Sequence, residues 1–97
     1  MVSGGQEHLE TYNVRVRGRV QGVGYRFSTA RRAHELGVRG WVQNMEDGTV
    51  EAVVQGTPDQ VDRMLEFMRK GPPAARVTEL ESERSYAERK YDRFEQR

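Results

Sequence analysis

Residues 38–55 read VRGWVQNMEDGTVEAVVQ and contain two runs with the residue pattern of β-strands. The runs cover residues 38–45 and 49–55 and carry β-branched and aromatic side chains. Asp47-Gly48 between them is a strong signal for a hairpin turn. This stretch therefore predicts two neighbouring antiparallel strands, around which the other elements must be arranged.

A helix is predicted on each side of this hairpin. Thr57-Pro58-Asp59-Gln60 supplies a cap, a proline at the first helical position and the glutamine of a capping box, and Gly71-Pro72-Pro73 ends the helix. Apolar residues lie between them at positions i, i+3, i+4 and i+7: Val61, Met64, Leu65 and Met68. Residues 26–36, before the hairpin, repeat apolar side chains about every three residues: Phe27, Ala30, Ala33 and Leu36. Gly37 follows as a stop signal, so both segments are expected to be amphipathic helices.

Two further strands are predicted outside the helices. Residues 11–19 alternate apolar and polar side chains, with Tyr12, Val14 and Val16 on one face. Residues 76–83 form a weaker and highly charged run, which is typical of an edge strand. The order β-α-β-β-α-β predicts a ferredoxin-like α/β (α+β) sandwich, with two helices covering one face of a four-stranded antiparallel sheet.

The two ends of the chain have less regular patterns. Residues 1–8 are polar and without periodicity, so we expect a flexible head before a single domain at residues 9–97. Residues 84–97 form a charged C-terminal segment. Its aromatic residues either pin the segment to the body or form part of a short fifth strand: Tyr86, Tyr91 and Phe94.

The composition excludes several classes of protein. The 97 residues include no cysteine, which excludes disulfides, a thiolate nucleophile and cysteine-ligated zinc. No apolar run approaches membrane-spanning length, so a cytoplasmic protein without a membrane partner is expected. A net charge of +1, with 32% of residues charged, is more typical of a solvated surface than of a nucleic-acid binder. A monomer is the default for so small a chain.

The stretch GRVQGVGYRF, residues 18–27, joins the first strand to the first helix. Gly22 and Gly24 permit the positive φ angles at which successive backbone N–H groups converge on one anion. The helix N-terminus adds partial positive charge, and the Arg26 guanidinium can bind two oxygens of a phosphate. Spacing alone gives equal weight to a simple tight turn with a solvated Arg26, because short glycine motifs are weak signals.

Two motifs resemble those of a known family. Residues 16–26, VRGRVQGVGYR, closely resemble the first signature of the acylphosphatase family. Residues 40–44, GWVQN, resemble the second signature, and Gly48, Val50 and Gly56 follow at the family spacing. The motifs occur in the expected order and on the expected elements, and the similarity extends over about residues 9–94.

This resemblance implies hydrolysis of small acyl phosphates to a carboxylate and inorganic phosphate, without a metal or an organic cofactor. By motif position, Arg26 is the phosphate-binding arginine and Asn44 is the asparagine that orients the attacking water. The implied phosphate cradle is the backbone of six residues: Gln21, Gly22, Val23, Gly24, Tyr25 and Arg26. Tyr25 stands where phenylalanine is more usual, so its hydroxyl needs a hydrogen-bond partner.

Other functions remain as alternatives to this reading. A phosphate-binding module without catalysis would keep the cradle but would have little use for the amide of Asn44. A nucleic-acid-binding domain of the same topology would place several aromatic residues on its central strands, and this chain does not. His8 and His34 have no partner at a metal-ligand spacing and are expected to be surface or packing residues.

Overall fold

The structure is a computed structural model that describes residues 8–97. The predicted flexible head at residues 1–8 therefore lies outside the described residues, apart from His8. The elements are β1 (Glu10–Arg19), α1 (Tyr25–Leu36), β2 (Arg39–Asn44), β3 (Val50–Gly56), α2 (Pro58–Lys70), β4 (Arg76–Ser85) and β5 (Phe94–Gln96). The predicted order β-α-β-β-α-β is confirmed, and a short strand follows it.

The strands form one sheet in the order β4-β1-β3-β2-β5. The first four are antiparallel to their neighbours, as predicted, and β4 is an edge strand. β5 runs parallel to β2, pairing Phe94 with Gly40, so the complete sheet is mixed. Phe94 lies in the fifth strand and is buried in the core. Tyr86 lies outside that strand and is largely exposed.

Both helices pack against one face of the sheet. Their buried side chains meet the inward-facing valines of the strands, among them Val14, Val16, Val42, Val50 and Val54. The four apolar residues predicted for the buried face of α2 are all buried. Within residues 8–97, neither helix has the length and apolar character needed to span a membrane.

The buried face of α1 differs from the predicted stripe. The helix begins at Tyr25, and its buried residues are Tyr25, Thr29, Ala30 and Ala33. Phe27 is 62% exposed, so its expected place in the apolar stripe is wrong. Because each helical residue turns the chain by about 100°, burying the ring of Tyr25 places Phe27 about 200° away, on the solvent side.

The Tyr25 side chain joins the start of α1 to the end of α2. Its hydroxyl donates a hydrogen bond of 2.7 Å to the main-chain oxygen of Met68, which answers the need for a partner that the sequence raised. Burial raises the pKa of the Tyr25 phenol, so the hydroxyl stays protonated and donates throughout the neutral range. This contact fixes the end of α1 at which the glycine-rich turn enters.

We expect Tyr25→Phe to lower the free energy of unfolding by about 0.5–1.5 kcal/mol, because it deletes one buried hydrogen bond while keeping the ring. Urea unfolding measures the change. Tyr86→Phe is the control, since Tyr86 is 80% exposed. Equal effects of the two substitutions would contradict a specific contribution from the bond to Met68.

The turn between β2 and β3 is closed by hydrogen bonds to Asp47. Its Oδ1 accepts bonds from the hydroxyl of Thr49 at 2.7 Å and from the Thr49 N–H at 3.0 Å. The hydroxyl bond, followed by the backbone bond, lowers the pKa of Asp47 below its usual value of 3.8. A carboxyl group with a lowered pKa in the folded protein stabilises it above the unfolded pKa, and that stabilisation is lost as the pH falls below about 4.

We therefore expect the difference in stability between the native chain and Asp47→Asn to shrink as the pH is lowered below about 4. Urea midpoints at pH 7 and at several acidic pH values measure it. Asp62→Asn removes an exposed carboxylate from α2 and controls for the change in net charge. A difference that stays constant over the whole pH range would contradict the assignment.

Candidate active site

The turn between β1 and α1 has the backbone conformation of an anion cradle. Gly22 has a φ of 74° and Gly24 a φ of 80°, and Val23 between them does not have a positive φ. A Cβ atom added at either glycine would meet no atom within 4 Å, so these glycines are required by backbone conformation rather than by close packing. Alternation of this kind turns successive N–H groups toward one point.

The two helices differ in how their N-termini are satisfied. Thr57 and Gln60 cap α2 with a complete capping box, and Asp59 lies in its first turn. The cap of α1 is Gly24, which makes no side-chain hydrogen bond, and its first turn contains no acidic residue. The first N–H groups of a helix have no partner within the helix, so those of α1 are available to an external anion.

Arg26 lies in the first turn of α1 and contacts the residue that follows β5. Its Nη1 donates a hydrogen bond to the main-chain oxygen of Arg97. The Arg97 N–H in turn donates to the main-chain oxygen of Val42 at 2.8 Å, two residues before Asn44. Nothing in the sequence pattern indicates this contact, because it joins residues 71 positions apart and the second of them follows a strand of only three residues.

Asn44 is the last residue of β2 and pairs with Val50 of β3. Its Oδ1 is buried and has no hydrogen-bond partner among the described residues. A buried carbonyl oxygen without a partner is rare and costs free energy, so such an atom is a candidate acceptor for a bound molecule. The atom is an amide oxygen, which accepts a proton in a hydrogen bond but does not remove one at neutral pH.

The side chain of Gln21 joins the cradle to the turn after Asn44. Its Nε2 donates hydrogen bonds to the main-chain oxygens of Met45, at 2.8 Å, and Thr49, at 3.0 Å. Sequence reasoning placed Gln21 in the cradle through its backbone and missed this role of its side chain. The sequence offers one sign of this role, namely a polar side chain next to the glycines of the turn.

The other candidate residues lie away from this arrangement. A ring nitrogen of His34 lies 3.2 Å from the main-chain oxygen of Phe94, as for a packing residue. His8 is exposed near the start of β1. Within residues 8–97, no three histidine, aspartate or glutamate side chains form a group that could hold a metal ion.

A groove of about 740 Å³ lies between α1 and the C-terminal end of α2, away from the cradle. Phe27, Phe67 and Pro72 contribute to its lining, which includes neither Asn44 nor any of residues 21–26. A phosphoryl group needs converging N–H donors rather than apolar walls, and these donors are at the cradle. The candidate site is therefore the cradle together with Arg26 and Asn44.

Comparisons with known proteins identify relatives of this chain over nearly its whole length. The acylphosphatase family model matches residues 12–96. An acylphosphatase from Bordetella parapertussis is 67% identical over 89 residues, which are 92% of this chain and 95% of the relative. The structure of an acylphosphatase from Coxiella burnetii superposes with a TM-score of 0.86 at 37% identity, covering 92% of this chain and 93% of that one. For the Bacillus subtilis acylphosphatase the TM-score is 0.86 at 33% identity, with 91% and 97% covered.

The family model and the relatives each span most of the chain, and the fold is the one that the sequence predicted. This chain belongs to the acylphosphatase family, the hydrolases that cleave acyl phosphates.

Proposed function

We propose that the chain hydrolyses small acyl phosphates to a carboxylate and inorganic phosphate, with the backbone of residues 21–26 and the Arg26 side chain binding the phosphoryl group and Asn44 orienting the attacking water. One observation supports the assignment of roles: the Oδ1 of Asn44 is buried and has no hydrogen-bond partner among the described residues, as expected of an acceptor for a bound molecule. A module that only bound phosphate would use the cradle and would have no need of this acceptor.

The chemistry requires few groups from the protein. The leaving carboxylate has a conjugate acid with a pKa near 4, so it departs without being protonated by an acid of the protein. An alcohol leaving group would usually need such an acid. The protein must still stabilise the charge on the phosphoryl oxygens and place a water molecule in line with the departing oxygen. The proposed reaction needs neither metal nor organic cofactor.

Asn44 accepts a hydrogen bond from the water and so orients a lone pair of the water toward phosphorus. As the oxygen–phosphorus bond forms, the bond from phosphorus to the acyl oxygen breaks and its electron pair leaves with the carboxylate. The water proton passes to a phosphoryl oxygen, because a neutral amide does not take it. The products are the carboxylate and inorganic phosphate.

The proposal also covers the domain organisation, oligomeric state, compartment and partners of the enzyme. Residues 9–97 act as one domain and one monomer in the cytoplasm. Nucleic acid is not a partner, because the sheet face opposite the helices carries ion pairs instead of a stacking surface. Arg15 pairs with Glu51 at 2.6 Å, and Arg17 pairs with Glu79 at 3.6 Å. The guanidinium of Arg97 lies 4.7 Å from the centre of the Trp41 ring.

We expect Arg26→Ala to reduce turnover by more than the roughly 10²–10³-fold that follows loss of one pre-aimed donor, because it removes a whole charge. Arg26→Lys should not restore activity, since an ammonium lacks the planar fork that binds two oxygens. Steady-state kinetics with an acyl phosphate test both variants. Near-normal turnover of Arg26→Lys would contradict the two-oxygen contact.

The function itself is tested by hydrolysis of benzoyl phosphate in EDTA, with a phosphate monoester as the specificity control. We expect metal-free cleavage of the acyl phosphate, little cleavage of the monoester, and a loss of about 10²–10³ in kcat for Asn44→Ala. Asn44→Asp should be less active than Asn44→Ala, because a carboxylate there repels a phosphate dianion. The reverse order would indicate general-base catalysis. No turnover, with protection from thermal unfolding by inorganic phosphate, would leave a binding module.

A further inference from the structure

The proposed reaction uses the backbone of Gln21 and leaves its side chain unassigned. Both N–H groups of a carboxamide nitrogen can donate, and Nε2 of Gln21 has two acceptors: the main-chain oxygens of Met45 and Thr49. These residues are 24 and 28 positions away in the sequence. The side chain therefore crosses from the β1–α1 turn to the β2–β3 turn.

The two acceptors belong to a turn that is itself closely hydrogen-bonded. The Met45 N–H donates to the main-chain oxygen of Thr49 at 2.8 Å, and the Gly48 N–H donates to that of Met45 at 3.2 Å. Asp47 adds its two bonds to Thr49, whose side chain is buried. Gln21 thus binds to a turn with little freedom to shift independently of the strands it connects.

The location of these acceptors relates Gln21 to Asn44. Asn44 and Val50 face each other across the β2–β3 ladder. Met45 directly follows Asn44, and Thr49 directly precedes Val50, so the carboxamide of Gln21 holds the two residues that flank this pair. At its other end, Gln21 is the first residue of the cradle, next to Gly22. One side chain therefore sets the separation between the phosphate-binding backbone and the residue proposed to hold the water.

We propose that Gln21 is a positioning residue that holds Asn44 in register with the cradle, so that the water lies in line with the departing acyl oxygen. This inference rests on the proposed role of Asn44. In-line displacement is sensitive to such placement, since an error of about 1 Å at the reacting atoms can lower the rate by about 10²-fold. The carboxamide nitrogen of Gln21 donates to Met45 and Thr49, so we assign its effect on the reaction to the placement of Asn44.

The test is a double-mutant cycle with Gln21→Leu and Asn44→Ala, assayed with benzoyl phosphate. We expect Gln21→Leu to lower kcat by about 10-fold or more in the native background. In the Asn44→Ala background it should change kcat by less than about two-fold, because the residue through which it acts is gone. The inhibition constant of inorganic phosphate should change by less than about three-fold in both backgrounds, since the N–H donors of the cradle and Arg26 remain.

Gln60→Leu is the matched control for loss of stability. Gln60 also joins distant backbone groups, with Nε2 bonded to the main-chain oxygen of Leu36 at 2.9 Å and Oε1 to the N–H of Thr57 at 2.8 Å. We expect it to lower the Tm while leaving kcat within about two-fold of the native value. If Gln21→Leu fails to fold, Gln21→Asn replaces it in the cycle. That variant keeps the amide but is one methylene too short for both acceptors, so an intermediate loss of kcat that again disappears without Asn44 is expected.

The outcomes separate this inference from the proposed function. If Asn44→Ala retains the native kcat, the water-orienting role fails and the role of Gln21 fails with it. If Asn44→Ala loses activity but the Gln21 substitution lowers kcat equally in both backgrounds, or not at all, only the positioning role is overturned. A loss confined to phosphate affinity would likewise overturn it, by assigning the Gln21 side chain to the cradle.

Discussion

The antiparallel pairing of β3 with both β1 and β2 is the constraint on which the candidate site depends. Because β1 and β2 each run opposite to β3, they are parallel to each other and end at the same edge of the sheet. Val50 lies at the centre of one row across the sheet, paired with Val16 on one side and with Asn44 on the other. Neighbouring strands lie about 4.8 Å apart, so Asn44 is about 10 Å from β1, which leads into the cradle.

The fifth strand extends the same arrangement. β5 is parallel to β2, so its C-terminal end also reaches this edge, where the main-chain oxygen of Arg97 accepts a bond from Arg26. The end of β1 thus leads into the candidate cradle, the end of β2 carries Asn44, and the residue after β5 supplies a partner for Arg26. Asn44 sits at the end of a strand and Arg26 in the first turn of a helix, where small errors in position are easier to avoid than in a free loop.

The site is formed at some expense of local stability. A side-chain cap is typically worth about 1 kcal/mol to a helix, and Gly24 gives α1 none, while α2 of similar length has a full capping box. The buried hydrogen bond from the Tyr25 hydroxyl to Met68 stabilises the same end of α1, and it does not use the first N–H groups of the helix, which belong to the candidate cradle. The usual preference for a side-chain cap is therefore not met at the helix N-terminus of the candidate site. Departures from local preference of this kind are common at functional sites.

The sequence predicts the elements whose causes are local. The capping box and apolar spacing specify α2, Asp47-Gly48 specifies the hairpin, and the paired glycines indicate a cradle. The roles of Arg26 and Asn44 came from family resemblance, because an arginine in a helix and an asparagine at a strand end have no distinctive spacing. The exposure of Phe27, the parallel addition of β5 and the bonds of the Gln21 side chain depend on contacts between residues far apart in the chain. Such contacts leave no periodic pattern in a single sequence.

In the proposed mechanism, selection between acyl phosphates and phosphate monoesters depends mainly on the chemistry of the leaving group. In this mechanism the cradle and Arg26 bind the phosphoryl group, which acyl phosphates and phosphate monoesters share, so binding there would discriminate little between the two classes. The difference arises at the departing oxygen: a carboxylate with a conjugate-acid pKa near 4 leaves unaided, whereas an alkoxide requires a proton. Asn44 offers no acidic proton, and neither does a glutamine or a backbone amide. In the proposed mechanism, a site whose groups offer no acidic proton therefore favours acyl phosphates over the phosphate esters whose leaving group needs one.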